Sequence, residues 1–437
     1  LLDQLGGVRW AGNGAAGAIL LFLVLEFGRQ RRVIRVLLTV LVAIGMTAIA
    51  VAPEPWGVFW AAWRRGAAYA AFFLALGALR EAAETSPTVR RCGRQLIGQP
   101  AGRRYAAVTA GGHLFGIILS YGSIELLGAM AARGGAGVAA RRRMLLGAYR
   151  GFAAMNCWSP LNIMTAVVST AVPAADLRPL MPVGFVVSLG MMAAGWWLDR
   201  GERGEEGVTA ASGEGWAVHL RVVGLVLLVM GLAEVVAAGG GVSLSVGVTA
   251  MVPAVGFGWI GVQAARAMRP RLALAMIGRR VGRFVARVPS FRGEATVLAA
   301  GGFLGVARGA ALPAGGLAAV VPGVPGLVVA LAVPVVMTAA GLIGFNAIAV
   351  VAILGAAVPE PMAFGVSPQV FAFACMLGWG VAVGLTPMSA SALATARWTG
   401  SDPWTVTVRW NWRFTTVVMV LAWGVLAAAH LVGLPKY

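Results

Sequence analysis

Two short segments carry the groups best suited to chemistry. Asn156-Cys157-Trp158-Ser159-Pro160-Leu161-Asn162 and Gly384-Leu385-Thr386-Pro387-Met388-Ser389-Ala390-Ser391 each set a proline, hydroxyls and, in the first, amides inside a long apolar stretch. Proline in a helix interior removes a backbone hydrogen bond and clashes with the preceding turn. Each segment therefore predicts a helix that breaks and restarts, leaving backbone N–H and C=O groups free. A restarted half-helix has a partial positive charge at its first turn. Such a place can hold an anion on amides and a small cation on carbonyls. Ser159, Pro160 and Asn162 in the first segment are the candidate binding residues, with Thr386, Pro387, Ser389 and Ser391 in the second.

Two further segments are expected to face these breaks. Tyr105 to Arg133 is apolar, yet Arg103 and Arg104 precede it and Arg141 to Arg143 follow it. A simple span would strand one basic flank outside, whereas a re-entrant hairpin keeps both on one side. One ordinary long helix with a misplaced basic loop is the alternative. Ser120, Tyr121, Gly122 and Ser123 would form the hairpin tip, with Ser120 and Ser123 as binding candidates. Leu327 to Val358 is the second such stretch, centred on Gly341 to Asn346, where Gly344 permits a tight turn and Asn346 offers an amide. Non-helical backbone at membrane depth is tolerated where protein or a cavity covers it.

Ionisable groups within apolar segments are few, and each is a functional candidate. His113 and Glu125 in the first hairpin are candidates for proton coupling, although their counterparts in the second half are uncharged. Sodium needs no carboxylate, because backbone carbonyls, Ser and Asn suffice to bind it. Glu26 and Glu234 fit interfacial positions, and Arg150 and Arg308 either meet an anionic substrate or snorkel. Cys92, Cys157 and Cys375 match no metal or redox spacing, the three histidines are far apart, and neither a metal site nor a cofactor is expected.

The elements that must position these residues recur. Phe73-Leu74 is answered by Phe303-Leu304, Thr109-Ala110-Gly111-Gly112 by Thr338-Ala339-Ala340-Gly341, and Ser159-Pro160 by Thr386-Pro387, at a nearly constant offset. The stretch Arg80 to Arg104 is rich in arginine, while its counterpart Pro313 to Gly326 has no charge. That asymmetry predicts a second copy inverted in the membrane. Inverted pairs of Gly- and Pro-interrupted segments point to a secondary transporter. The expected division is residues 1–59 as amino-terminal scaffold helices and 60–198 as a first repeat of helix, inward hairpin, broken helix and helix. Residues 199–294 form a charged loop, two scaffold helices and a basic loop, and 295–437 form the second repeat with an outward hairpin.

Composition supports the membrane assignment independently. Hydrophobic residues make up 59% of the chain and charged residues 12%, with mean hydropathy +0.82; a soluble domain has roughly 25% charged residues. An all-α polytopic membrane protein with about ten spans of roughly 20 residues and two re-entrant hairpins accommodates the length. The net charge of +19 is gathered in short arginine runs between apolar stretches, as the positive-inside rule places them in cytoplasmic loops. This distribution argues against a nucleic-acid partner and for contact with anionic lipid. Arg266 to Arg292 is long and basic enough for an amphipathic helix on the inner interface. The cytoplasmic (inner) membrane is the expected location; Leu1 to Asn13 has no legible signal peptide.

Two copies of helix, hairpin, proline-broken helix and closing helix resemble the ion transporter superfamily. That group includes the divalent anion:sodium symporters and the large membrane subunit of tripartite carboxylate transporters. The resemblance spans about Trp60 to Leu198 and Ala295 to Leu431, and rests on architecture and on Thr386-Pro387 in a Gly- and Ser-rich context. The Ser-Asn-Thr hairpin signature of the anion symporters is absent. The resemblance implies a small anionic substrate near the midplane, coupling to sodium or protons, elevator-like alternating access and, by analogy, a homodimer. Two other readings compete with it. One is a membrane-embedded enzyme acting on a lipid-linked substrate. The other is the membrane subunit of a multi-component uptake system, docked on an accessory subunit through Arg266 to Arg292.

Overall fold

A computed structural model describes residues 9–30, 32–200, 216–267, 270–309, 318 and 323–433. Among them every regular element is helical. The order is α1 (Arg9–Glu26), α2 (Arg32–Ala50), α3 (Pro55–Glu84), α4 (Pro87–Ile97), α5 (Ala101–Leu119), α6 (Gly122–Arg133), α7 (Val138–Met155), α8 (Ile163–Ala171) and α9 (Leu180–Asp199). There follow α10 (Ala217–Gly239), α11 (Leu244–Ala267), α12 (Pro270–Arg287), α13 (Arg292–Gly309), α14 (Gly326–Leu342), α15 (Ala347–Ala357), α16 (Pro368–Val383), α17 (Ala390–Thr399) and α18 (Trp412–Val432). The chain is an all-α polytopic membrane protein. Five stretches are long and apolar enough to cross a membrane unaided: Trp10–Arg29, Leu180–Asp199, Ala217–Gly239, Leu244–Arg266 and Trp412–Val432. Shorter apolar helices, including α14, α15 and α16, supplement them.

Both expected breaks and both expected hairpin turns are present. The stretch Tyr105 to Arg133 turns at Ser120-Tyr121 between α5 and α6, and Leu327 to Val358 turns between α14 and α15. Helix α5 runs parallel to α7: Gly147 meets Tyr105, Gly151 meets Thr109 and His113, and Gly116 meets Phe152 and Met155. Helix α14 runs parallel to α16 in the same way, with Gly326 against Gly365, Gly378 against Pro334 and Met337, and Gly341 against Thr386. Each hairpin's first arm thus lies along the first half of a broken helix and ends near its break.

Two packing groups result. Helices α1, α2, α3 and α13 share a small core of Leu23, Ile49, Trp63, Ala299 and Phe303. The main core unites the hairpins and broken helices with α9 and α18. Helices α8 and α15 lie at the seam, packed on each other and on α13.

Two details differ from expectation. Helix α3, at 30 residues, is longer than the roughly 20 expected of a span. The basic stretch expected as loop contains the helix α4, whose Val89, Cys92, Gly93, Leu96 and Ile97 are buried; apolar groups at helical spacing outweigh its arginines. Helix α12 forms in the long basic stretch as expected. The linker Pro313 to Gly326 is mostly outside the described residues, as are residues 1–8, most of the charged loop Asp199 to Glu214 and the Arg308 side chain.

Candidate functional site

The first break is sealed. From Asn156 to Asn162 only Trp158 is even partly exposed. Asn162 starts α8 as its N-cap, its Oδ1 accepting from the Met164 N–H at 2.9 Å, while its Nδ2 donates to Asn156 Oδ1 at 2.8 Å. Asn156 donates in turn to the Phe152 carbonyl at 2.8 Å, and Thr165 Oγ1 to the Ser159 carbonyl at 2.9 Å. Buried polar groups must be paired, and here the chain pairs nearly all of them locally. Ser159 Oγ is the exception, fully buried and without a hydrogen-bond partner. Pro160 is buried beside it.

The second break is open. Met388 is 66% exposed, and Thr386 and Ser389 are partly exposed. Ser389 N-caps α17, accepting from the Ala392 N–H at 3.1 Å, and lies 3.1 Å from Ser391 Oγ. Thr386 Oγ1 donates back to the Ala382 carbonyl at 2.7 Å. The second hairpin reaches this break: a Cβ on Gly341 would collide with Thr386, and one on Gly344 would touch Met388. Asn346 is exposed and N-caps α15, accepting from the Ile348 N–H at 2.9 Å. Helices α15 and α17 thus both start near the Gly341–Thr386 and Gly344–Met388 contacts, where Gly344, Asn346, Thr386 and Ser389 are at least partly exposed. Buried Ser391 supports them from below, and so does Pro387.

The two breaks touch. Gly380 of α16 presses on Cys157 and the Ala153 carbonyl, where a side chain would not fit. The buried Tyr149 hydroxyl donates to the Val383 carbonyl and also contacts Ser389. From the other side Asn411 Nδ2 donates to the Gly384 carbonyl at 3.0 Å. Asn411 is held by Arg150, whose Nε donates to its Oδ1 at 2.8 Å. Arg150 also donates to Tyr105 Oη at 2.9 Å and faces the Phe414 ring. Arg150 is thus a buried brace behind the second break rather than a side chain that snorkels. Tyr149, Asn411 and Thr415, whose buried hydroxyl lies beside Gly384 without a partner, were not singled out in the sequence. Their only signal there is a polar group within an apolar segment.

The first hairpin holds the remaining candidates. Ser120 has φ +53°, the only positive φ at a non-glycine among the described residues. Its carbonyl accepts from Ser123 Oγ at 2.9 Å, so Ser123 is buried and committed to the turn. The Tyr121 ring lies 5.0 Å beneath the Arg80 guanidinium. His113 accepts from Trp158 Nε1 at 3.1 Å, which ties the hairpin to the first break. Glu125 accepts from Trp398 Nε1 at 2.6 Å and pairs with Arg397 of α17. His113 and Glu125 share no partner. Glu26 is paired with Arg29 and Arg292, and Glu234 with Arg178.

A separate cavity of about 190 Å³ lies at the seam of α3, α8, α13 and α15, lined chiefly by Tyr69, Val167, Leu298, Ile348 and glycines. A ligand site needs a few placed polar groups to fix orientation, and the second break supplies them where this cavity supplies few.

No family model matches the chain, and no curated protein matches it. Its structure is similar to two solved membrane proteins. One is the YdaH transporter of Alcanivorax borkumensis, with a TM-score of 0.53 and 15% identity over 84% of this chain and 85% of that one. The other is MtrF of Neisseria gonorrhoeae, described with a class of antimetabolite efflux pumps, with a TM-score of 0.50 and 14% identity over 82% of this chain and 80% of that one. At such identities the shared feature is the fold.

Proposed function

We propose that this chain is a secondary active transporter of a small organic or inorganic anion, working in the cytoplasmic membrane by alternating access. The observation that carries the reading is the pair of interrupted helices in mutual contact, the second of which restarts at the exposed N-terminus of α17 close to the hairpin turn that starts α15. Amide groups and the partial positive charge of those termini favour an anion. Gly344, Asn346, Thr386 and Ser389 are the residues we assign to first contact with it. The matched order of elements in the two halves supports an inverted repeat of the ion transporter superfamily kind. The core of hairpins and broken helices would then shift against α3 and α13 in an elevator-like movement. Coupling is to sodium, held by backbone carbonyls and hydroxyls at the breaks, or to protons. Both neighbours in fold are transporters, which favours transport over catalysis.

The test is the thermal unfolding midpoint of the purified protein against small carboxylates, sulfur and phosphorus oxyanions and lipid phosphates, each with sodium and with potassium at two pH values. A ligand that binds only the folded state raises that midpoint. The expected result is stabilisation by one small anion that depends on sodium or on pH and is lost in Ser389→Ala. Stabilisation by lipid phosphate alone, and its loss in Ser389→Ala, would overturn the reading in favour of an enzyme acting on lipid at this break.

A further inference from the structure

We infer that α12 carries a binding site for the phosphate headgroup of an anionic membrane lipid, formed by Arg279, Arg280 and Arg283 around Met276. This inference does not depend on the transport reading.

Helical periodicity puts Arg279, Arg280, Arg283 and Arg287 on one face of α12, and Ile277, Val281 and Phe284 on another. The apolar face is anchored on protein: the Phe284 ring is 5.8 Å from that of Phe257 on α11 and lies over Gly77 of α3. A third edge bears Leu274 and Val285, 70% and 59% exposed. One edge against protein, one bare and apolar, and one basic is the arrangement of a helix lying in the membrane–water interface.

The basic face borders a shallow depression open to the surroundings. Met276, Arg279, Arg280 and Arg283 line this depression of about 500 Å³. Its charges are incompletely matched. Arg280 donates to the neutral Gln263 at 2.9 Å. Arg283 reaches Glu81 at 3.4 Å, but that carboxylate also serves Arg287 at 3.1 Å. Arg279 has no ion pair among the described residues. Burial, and then the neighbouring Arg283 charge, hold the pKa of Arg280 below its ordinary value, a crowding that a bound anion would relieve. Guanidinium groups match phosphate oxygens in a fork geometry. Leu272, 57% exposed and seven residues before Arg279 on the same side of α12, gives acyl chains an apolar contact beside the arginines and so favours a lipid phosphate over one free in water.

The experiment uses the full chain, delipidated in neutral detergent. Phosphatidylglycerol, phosphatidylcholine of the same acyl composition and inorganic phosphate are titrated separately, with the unfolding midpoint and the lipid retained in native mass spectrometry as readouts. Phosphatidylglycerol alone is expected to raise the midpoint and remain bound, less so at high salt. Arg279→Gln should weaken it about fivefold and the Arg279→Gln/Arg280→Gln pair about 25-fold, at about fivefold per arginine near an anionic headgroup. Arg133→Gln/Arg413→Gln, which removes equal charge elsewhere, should leave it unchanged. Equal binding of phosphatidylcholine would sink the proposal, as would a wild-type titration in both α12 variants. Inorganic phosphate matching phosphatidylglycerol would replace it with a free-anion site. If the double variant unfolds more easily without lipid, the single Arg279→Gln change, which removes no ion pair, decides the matter.

Discussion

The two broken helices have the same sequence logic and opposite fates. In the first, Asn156, Asn162 and Thr165 turn inward and satisfy one another, so the break is a closed joint. In the second, Tyr149 and Asn411 support the backbone from behind, which leaves Thr386, Met388 and Ser389 facing outward. A proline interruption therefore does not by itself make a binding site. What matters is whether the freed polar groups are satisfied from within the segment or from behind it. On the proposed reading, the first break fixes geometry and the second would meet the ligand.

That contrast can be broken or sharpened experimentally. The largest effect is expected at the seam below the closed break. A Cβ on Gly151 would collide with the Thr109 carbonyl, so Gly151→Ala should cost about 3 kcal/mol by overpacking, read as a lower unfolding midpoint. Asn162→Ala removes a cap and a buried hydrogen bond to Asn156, a loss of about 2 kcal/mol. Ser389→Ala should cost only about 1 kcal/mol of stability, yet it should weaken the stabilising anion at least about tenfold, equivalent to about 1.4 kcal/mol. If the two alanine variants lost stability and affinity in the same proportion, the division of labour would be wrong.

Accessibility tests the same comparison without a ligand. Cys92, Cys157 and Cys375 are all buried, so a background lacking them is a clean host for Ser159→Cys and Ser389→Cys. A water-soluble maleimide should label Ser389→Cys readily and leave Ser159→Cys essentially unlabelled; equal rates would mean that the first break opens too. The smallest expected effect lies at the hairpin turns. Ser120 holds a positive φ that Gly344 holds without strain, so Ser120→Gly should stabilise by about 1 kcal/mol and Gly344→Ser should destabilise by a similar amount.

Much of this architecture was legible in residues. Pro160 and Pro387 located the breaks because proline cannot continue a helix. The polar clusters at Ser120 to Ser123 and at Gly344 to Asn346 located the turns, because no other part of those apolar stretches suits tight backbone. The run Arg266 to Arg292 announced α12 by charge and periodicity. Helix α4 was missed because its arginines outweigh, in any composition count, the few apolar groups that anchor it.

The sequence alone determined a polytopic helical membrane protein with two interrupted helices and two hairpin turns, since hydropathy, proline chemistry and glycine placement are local properties. Only the tertiary structure decided which interruption is sealed and which is open. It also decided that Arg150 braces Asn411 and that His113 and Glu125 have separate partners. Those outcomes depend on groups far apart in the chain, such as Tyr149 with Val383 and Glu125 with Trp398. No local pattern encodes how a buried polar group finds its partner across the fold.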